Sequence, residues 1–420
     1  MAMTAIEKIL AEHAGVAQVS PGDVVATEVD TVVLLDMNFL AGDALNPPIV
    51  KTDRPERLIV VLDHLAIPKD EGSSAAHKRA REFVERWGID RFHDIGRDQG
   101  IVHQIVGEHG YVRPGELLVC TDSHTCSGGA YNAAARGIGP LDVVYAACTG
   151  GTWWECGPTV LYRLEGEPGH TVAPKDIFLY IAAVYGDHAM QNLEVVGSTV
   201  DGWTVDERRA FATMCAELGA EFPIFPCDDV LRRHFEALGV TDVQPVSADP
   251  GAAYLDSRMV DVAGIEPMVA KPHTVINNSV PVSSLGDPVP VDQCFIGSCA
   301  NGTLDDLRVA SEIVAGRQVS PKTRFIITPG SQRVYREAVT AGYVSTLLEA
   351  GAVITNSGCG ACAGQGMGVL APGETAITSS TRNFQGRMGS PTASVFIGSS
   401  ATVAASALTG FITDPRDVAA

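Results

Sequence analysis

Asn356-Ser-Gly-Cys-Gly-Ala-Cys-Ala-Gly-Gln-Gly-Met-Gly368 carries two thiols, Cys359 and Cys362, on a backbone almost bare of side chains. Thiols at this spacing can reach one metal centre from a single turn, and the glycines let a bulky group approach the chain closely. The run Ala352-Val-Ile-Thr reads as a strand leading straight into this stretch. Upstream, Val291-Asp-Gln-Cys-Phe-Ile reads as another strand, ending in Gly297-Ser-Cys-Ala-Asn-Gly-Thr and a helix over 304–315. Between them lie a strand (Arg324-Phe-Ile-Ile-Thr-Pro) and helices over 331–341 and up to Ala350. Cys299 and Cys359 therefore both follow strands of one β/α region, and such positions can converge at a sheet's carboxyl edge. Downstream, a strand-like run from Thr375 to Ser380 gives way to Arg382 and Arg387 in one loop, guanidiniums suited to gripping carboxylates.

The whole chain is consistent with this α/β reading. Its 420 residues exceed one ordinary domain. Hydrophobic residues at 45% against 19% charged residues provide ample core. A net charge of −20 argues against nucleic acid as partner, because phosphate contacts need clustered Lys and Arg. The N-terminus reads as an amphipathic helix and not as a secretory signal, and no apolar run reaches the roughly 18 residues of a membrane span. These features point to the cytoplasm and to no membrane. Most of the ten cysteines sit singly in apolar settings, as Cys148, Cys215 and Cys294 do, and read as packed thiols.

The first half supplies acid–base groups. Leu58-Ile-Val-Val-Leu, apolar throughout, reads as a strand buried on both faces, and it runs directly into Asp63-His64. Gly115-Glu-Leu-Leu-Val-Cys repeats the arrangement and ends in Thr121-Asp-Ser-His-Thr. One Asp-His pair is an ordinary surface turn; a second at another strand end makes a site, with Asp122 orienting His124 beside the Ser123 hydroxyl. His103 stands in the otherwise apolar Gly100-Ile-Val-His-Gln-Ile-Val, a setting more typical of a core histidine. Gly128 to Gly139, rich in small residues, predicts a tightly packed helix entering a turn. The spacing predicts a further helix over 206–218 with Glu217 near its end, where a carboxylate opposes the helix dipole unless a partner such as an imidazole holds it. The loop-rich stretch from Val275 to Asp287 suggests a boundary, giving units 1–155, 156–285 and 286–420.

Three strand-end cysteines, two Asp/His pairs, another histidine and an arginine pair form a chemically coherent set. Four thiolates saturate an iron–sulfur cluster, whereas three leave one iron free to act as a Lewis acid on a hydroxy acid. A thioredoxin-like pair would leave Cys299 and the histidines unexplained, and a closed zinc site needs a fourth ligand that is not conveniently spaced here. The motifs Thr121-Asp-Ser-His-Thr, Gly297-Ser-Cys-Ala-Asn-Gly, Ser357-Gly-Cys-Gly-Ala-Cys-Ala-Gly and Arg382-Asn-Phe-Gln-Gly-Arg stand in the order of a known family. Over nearly its whole length the chain resembles the aconitase / isopropylmalate isomerase hydro-lyases. The resemblance implies three α/β/α domains around a [4Fe-4S] cluster on Cys299, Cys359 and Cys362, one iron lacking a protein ligand. It implies catalytic roles for His64, His103 and His124 with Asp63, Asp122 and Glu217, and substrate or cluster contacts from Ser123, Arg382 and Arg387.

Single-chain relatives carry a fourth, swivelling domain that supplies a serine base. The chain ends at Ala420 soon after the Arg382–Arg387 loop, so the expectation is a large subunit needing a small swivel-domain partner. Thr213 stands where the family usually has asparagine, and Leu34-Leu-Asp-Met-Asn-Phe-Leu-Ala-Gly replaces a differently worded substrate-side segment. These departures leave the substrate open. The first expectation is 3-isopropylmalate dehydratase; maleate or citraconate hydratase, 2,3-dimethylmalate dehydratase and homoaconitase are the alternatives. A cluster-free RNA-binding regulator of the same family is opposed by the acidity and by the third cysteine.

Overall fold

The computed structural model describes residues 2–40, 48–52 and 54–418. Ala41 and Gly42, the end of the Leu34–Gly42 segment, therefore lie outside the described residues, as does Met1.

The chain lays down its sheets in sequence order. The first stretch supplies β1 (Val24–Glu28), β2 (Thr31–Leu35), β3 (Leu58–Val61), β4 (Arg91–His93), β5 (Leu117–Cys120), β6 (Ala134–Gly137) and β7 (Gly151–Glu155). Five of these form a parallel sheet in the order β4-β3-β2-β5-β6, while β1 and β7 pair antiparallel beside it. Every residue of β2, β3 and β5 is buried, as their unbroken apolar runs require. Each such Val, Leu or Ile contributes about 1.5–3 kcal/mol by leaving water.

The second sheet is parallel throughout. It takes β8 (Thr159–Glu165), β9 (Asn192–Val196), β10 (Pro223–Ile224) and β11 (Asp256–Asp261) in the order β10-β9-β8-β11. The third sheet holds β12 (Met268–Ala270), β13 (Ser279–Pro281), β14 (Gln293–Ile296), β15 (Arg324–Ile327), β16 (Val353–Ile354), β17 (Thr375–Thr378) and β18 (Ser394–Gly398). Its order is β13-β12-β18-β17-β14-β15-β16, with β12 and β13 antiparallel at one side.

Strand membership passes from the second sheet to the third between Asp261 and Met268, because Val269 and Ala270 pair with Gly398 and Ile397 of β18. The loop-rich 275–287 stretch thus lies inside the third sheet's span. The Gly128–Gly139 stretch is no single helix: a 3₁₀ helix over Ser123–Tyr131 is followed by strand β6. Its glycines serve close packing; a Cβ on Gly129 would lie 1.7 Å from the Pro223 carbonyl oxygen.

Candidate active site

Each expected site residue leaves the carboxyl end of a parallel strand or a helix facing it. Asp63 and His64 follow β3, Asp122 to His124 follow β5, Cys299 follows β14, Cys359 and Cys362 follow β16, and Arg382 follows β17. Two sheets thereby turn their carboxyl edges toward one another, the place where open α/β sheets bind ligands. The turn of Asp63–His64 touches the cysteine stretch directly, since a Cβ on Gly358 would meet the Asp63 carbonyl at 3.1 Å. The first and third sheets are also joined by Gln99, whose side chain donates to the Ser357 carbonyl at 2.7 Å.

Asp122 is the hub. One of its carboxylate oxygens lies 3.0 Å from His103 Nε2 and 3.3 Å from His124 Nδ1, and the other lies 3.4 Å from His64 Nε2. Burial works against its charge, yet hydrogen bonds from His103, His124 and His64 hold the carboxyl well below the usual carboxylate range. The imidazoles respond in kind. For His103 burial works against protonation, but bonds to Asp122 and Cys299 push it up to about 9. His124 lies well above its ordinary value, burial being outweighed by Asp122, Cys299 and Glu217. His64 does too, with its Nδ1 at 2.7 Å from Asp63 Oδ1 and the Asp63 and Cys359 charges overcoming burial.

Glu217 has the imidazole partner its misplaced position suggests, with Oε1 at 3.0 Å from His124 Nε2. The same oxygen accepts from Arg382 Nε at 2.7 Å. The helix carrying it runs as α over Val205–Met214 and tightens to 3₁₀ over Cys215–Leu218, which turns Glu217 toward the histidines. Arg387 takes a different partner, donating from Nη2 to Cys362 Sγ at 3.5 Å. The two guanidiniums are thus anchored on separate groups. Ser123 is exposed beside Asp122.

Cys299, Cys359 and Cys362 are all buried free thiols. Burial raises the Cys299 thiol, but His103 and His124 overcome it and bring it down to about 6, so it is readily a thiolate. Burial pushes Cys359 well up. Two triads of donor atoms, Asp63–His64–Cys359 and His103–Asp122–Cys299, each fall within 4.8 Å. Around the thiols, the hydroxyls of Ser298, Ser357, Ser380 and Thr381 and the Nε of Arg387 are buried with no hydrogen-bond partner. Ser298 also holds a φ of 86°, the left-handed region that a side chain rarely occupies. Such a set, soft buried thiols ringed by unspent donors, fits an iron–sulfur group, whose sulfurs accept hydrogen bonds.

A profile of the aconitase family (aconitate hydratase) matches residues 7–288 and 278–410. The chain belongs to the aconitase family. That family implies an iron–sulfur cluster and the aconitase-type α/β fold seen in the sheets. A relative from Mycolicibacterium smegmatis, named 3-isopropylmalate dehydratase large subunit, is 50% identical over all of this chain and 98% of its own. One of the same name from Sulfurimonas denitrificans is 36% identical, covering 99% of this chain and 100% of its own. A "Probable methanogen homoaconitase large subunit" from Methanothermobacter thermautotrophicus is also 36% identical, over 99% and 98%. The solved holo-form of Thermococcus kodakaraensis aconitase X aligns over 85% of this chain and 84% of its own, at 12% identity and a TM-score of 0.48.

Several site-supporting residues have no sequence motif. Lys175 and Arg209 are fully buried cations: Arg209 Nη1 donates to the Cys299 carbonyl at 2.7 Å, and Lys175 Nζ to the Ser379 and Ser380 carbonyls. Asp36 receives the Leu65 amide at 2.6 Å, and Asn38 Oδ1 receives Thr121 Oγ1 at 3.1 Å, so the turn after β2 braces both Asp-His loops. Lys175 alone had a readable signal. It sits in the first turn of the helix Pro174–Val184, where a cation opposes the dipole, much as Glu217 does at a helix end.

Proposed function

We propose that this chain is the large, cluster-bearing subunit of a two-chain hydro-lyase that dehydrates and rehydrates a small hydroxy dicarboxylic acid, with 3-isopropylmalate as substrate. The grouping that carries the reading is three buried thiols set against three imidazoles on one carboxylate, with two guanidiniums beside them. The 50% identical relative of that name supports the substrate. The homoaconitase relative supports a second reading at the same site, a homologous tricarboxylic acid.

Cys299, Cys359 and Cys362 would hold a [4Fe-4S] cluster. When bound, the cluster supplies a Lewis acid through the iron that no thiolate ligates. The remaining work falls to this chain's own side chains. Arg382 and Arg387 take the substrate carboxylates, with Ser123 at the lip of the site. His103 and His124, charged because Asp122 stabilises their protonated forms, deliver a proton to the departing hydroxyl. Asp63 orients His64 through its Nδ1, leaving Nε2 toward Asp122. The base that removes the carbon-bound proton comes from a small swivel-domain subunit. Among the described residues no helix is long and apolar enough to cross a membrane.

Anaerobically purified protein should be brown and carry about four iron and four sulfide per chain. Cys299→Ser should lose them as fully as Cys359→Ser does. Zinc alone with no visible absorbance would sink the reading. A panel assay of the reconstituted pair on isopropylmalate, homoaconitate, maleate, citraconate and dimethylmalate then decides the acid: turnover fastest on homoaconitate would favour the second reading.

A further inference from the structure

Lys175 is 1% exposed and its neighbour Asp176 is fully buried. Both lie in the first turn of the helix Pro174–Val184, which follows β8 of the second sheet, yet their polar atoms reach the third sheet. Asp176 Oδ1 accepts the Met268 amide at the start of β12 at 2.8 Å, and Oδ2 accepts the Ala173 amide at 2.8 Å. Lys175 Nζ donates to the Ser379 carbonyl and, at 3.2 Å, to the Ser380 carbonyl. Ser379 Oγ in turn receives the Gly297 amide at 3.1 Å, at the entry to the Cys299 loop.

The direct partners of this ammonium are neutral backbone carbonyls, so its burial is poorly repaid. A hydrocarbon side chain of like length would fill the same space without the desolvation cost. What it would lose is the grip on residues 379 and 380. Those carbonyls stand immediately before Thr381-Arg382, and Arg382 Nε contacts Glu217 Oε1, which contacts His124. The Ser380 and Thr381 hydroxyls are buried and unpartnered, so they do not tie this segment down themselves.

We infer that Lys175 is a positioning residue: by holding the Ser379 and Ser380 carbonyls from a helix of the second sheet, it fixes where Arg382 leaves β17. Through Arg382 it sets the Arg382–Glu217–His124 chain. Its kinetic consequence rests on the reading of Arg382 as a carboxylate-binding residue; its structural consequence does not.

Hydrogen exchange on the full chain, wild type against Lys175→Met, separates the two. Amides in 379–387 should exchange roughly ten-fold or more faster in the variant, with β2, β3 and β5 unchanged. In the reconstituted pair, KM for whichever acid the wild type turns over should rise roughly ten-fold, with kcat and iron content much less affected. If Lys175→Met does not fold, Lys175→Leu, which likewise lacks a donor, is read in the same way. Wild-type exchange at 379–387, or acceleration spread evenly over all three sheets, overturns the inference; faster exchange confined to 379–387 with an unchanged KM upholds it and overturns the carboxylate-binding role of Arg382 instead. The exchange measurement needs no substrate, so an error in the assigned acid leaves it readable.

Discussion

At Asp122 one carboxylate serves His64, His103 and His124, and the arrangement explains why all three imidazoles favour their charged forms. Replacing it by asparagine keeps the shape and removes the anion. The imidazolium protons are then less stabilised, so His103 loses its proton at lower pH than the value of about 9 set by its present partners. For Asp122→Asn the alkaline limb of the kcat/KM profile should therefore move to lower pH, and kcat should fall roughly 10²–10⁴-fold. An alkaline limb that stays in place, with circular dichroism unchanged, would remove Asp122 from this role. Residue-scale chemistry was largely legible in the chain because these groups follow apolar runs that can only be buried strands. His103 was the exception: its apolar neighbours describe a core histidine equally well, and only the fold brings Asp122 to it from another segment. Arg209 was illegible for a similar reason, since its partner is the Cys299 carbonyl, a backbone atom that sequence cannot nominate.

At the scale of elements, the buried start of β5 carries a pH dependence of its own. Glu116 precedes this strand, and burial, with the nearby Asp30 charge, pushes its carboxyl up to about 7. A folded value above the unfolded one means the folded state holds its proton more tightly. The stabilisation is complete below the unfolded value near 4.5 and is lost as pH rises through about 7. Glu116→Gln, neutral at every pH, should melt higher than wild type at pH 8, with the difference closing by pH 5. The gain should be on the order of 1–3 kcal/mol. Equal melting temperatures at pH 8 would count against a strained carboxylate there. The strands were the readable elements and the joints were not. Gly128–Gly139 looked helical because small residues suit tight helix packing, but the same lack of bulk lets Ala134–Gly137 lie as a strand against β5. The reach of the third sheet back to Met268 was not legible because β12 and β13 are short, and their membership in that sheet depends on β18, which lies far along the chain.

At the scale of the molecule, the groups gathered between the sheets are acids, imidazoles in their charged form, thiols and guanidiniums. Asp122 is held ionised by three imidazoles, and Glu217 is committed to His124 and Arg382. A dehydration also requires a base to take the carbon-bound proton, and Asp122, whose proton affinity its imidazole partners lower, makes a poor one. This supports a second polypeptide as the source of that base. The chain loaded with iron and sulfide but without its small subunit should therefore turn over substrate at no more than about a hundredth of the rate of the pair. Titrating the small subunit should restore activity along a saturable curve reaching its plateau at equal amounts of the two chains. Cluster absorbance should stay constant throughout, because the thiols, the orphaned hydroxyls and the buried cations behind them all belong to this chain. Full turnover by the isolated subunit would mean that one of its own groups is the base.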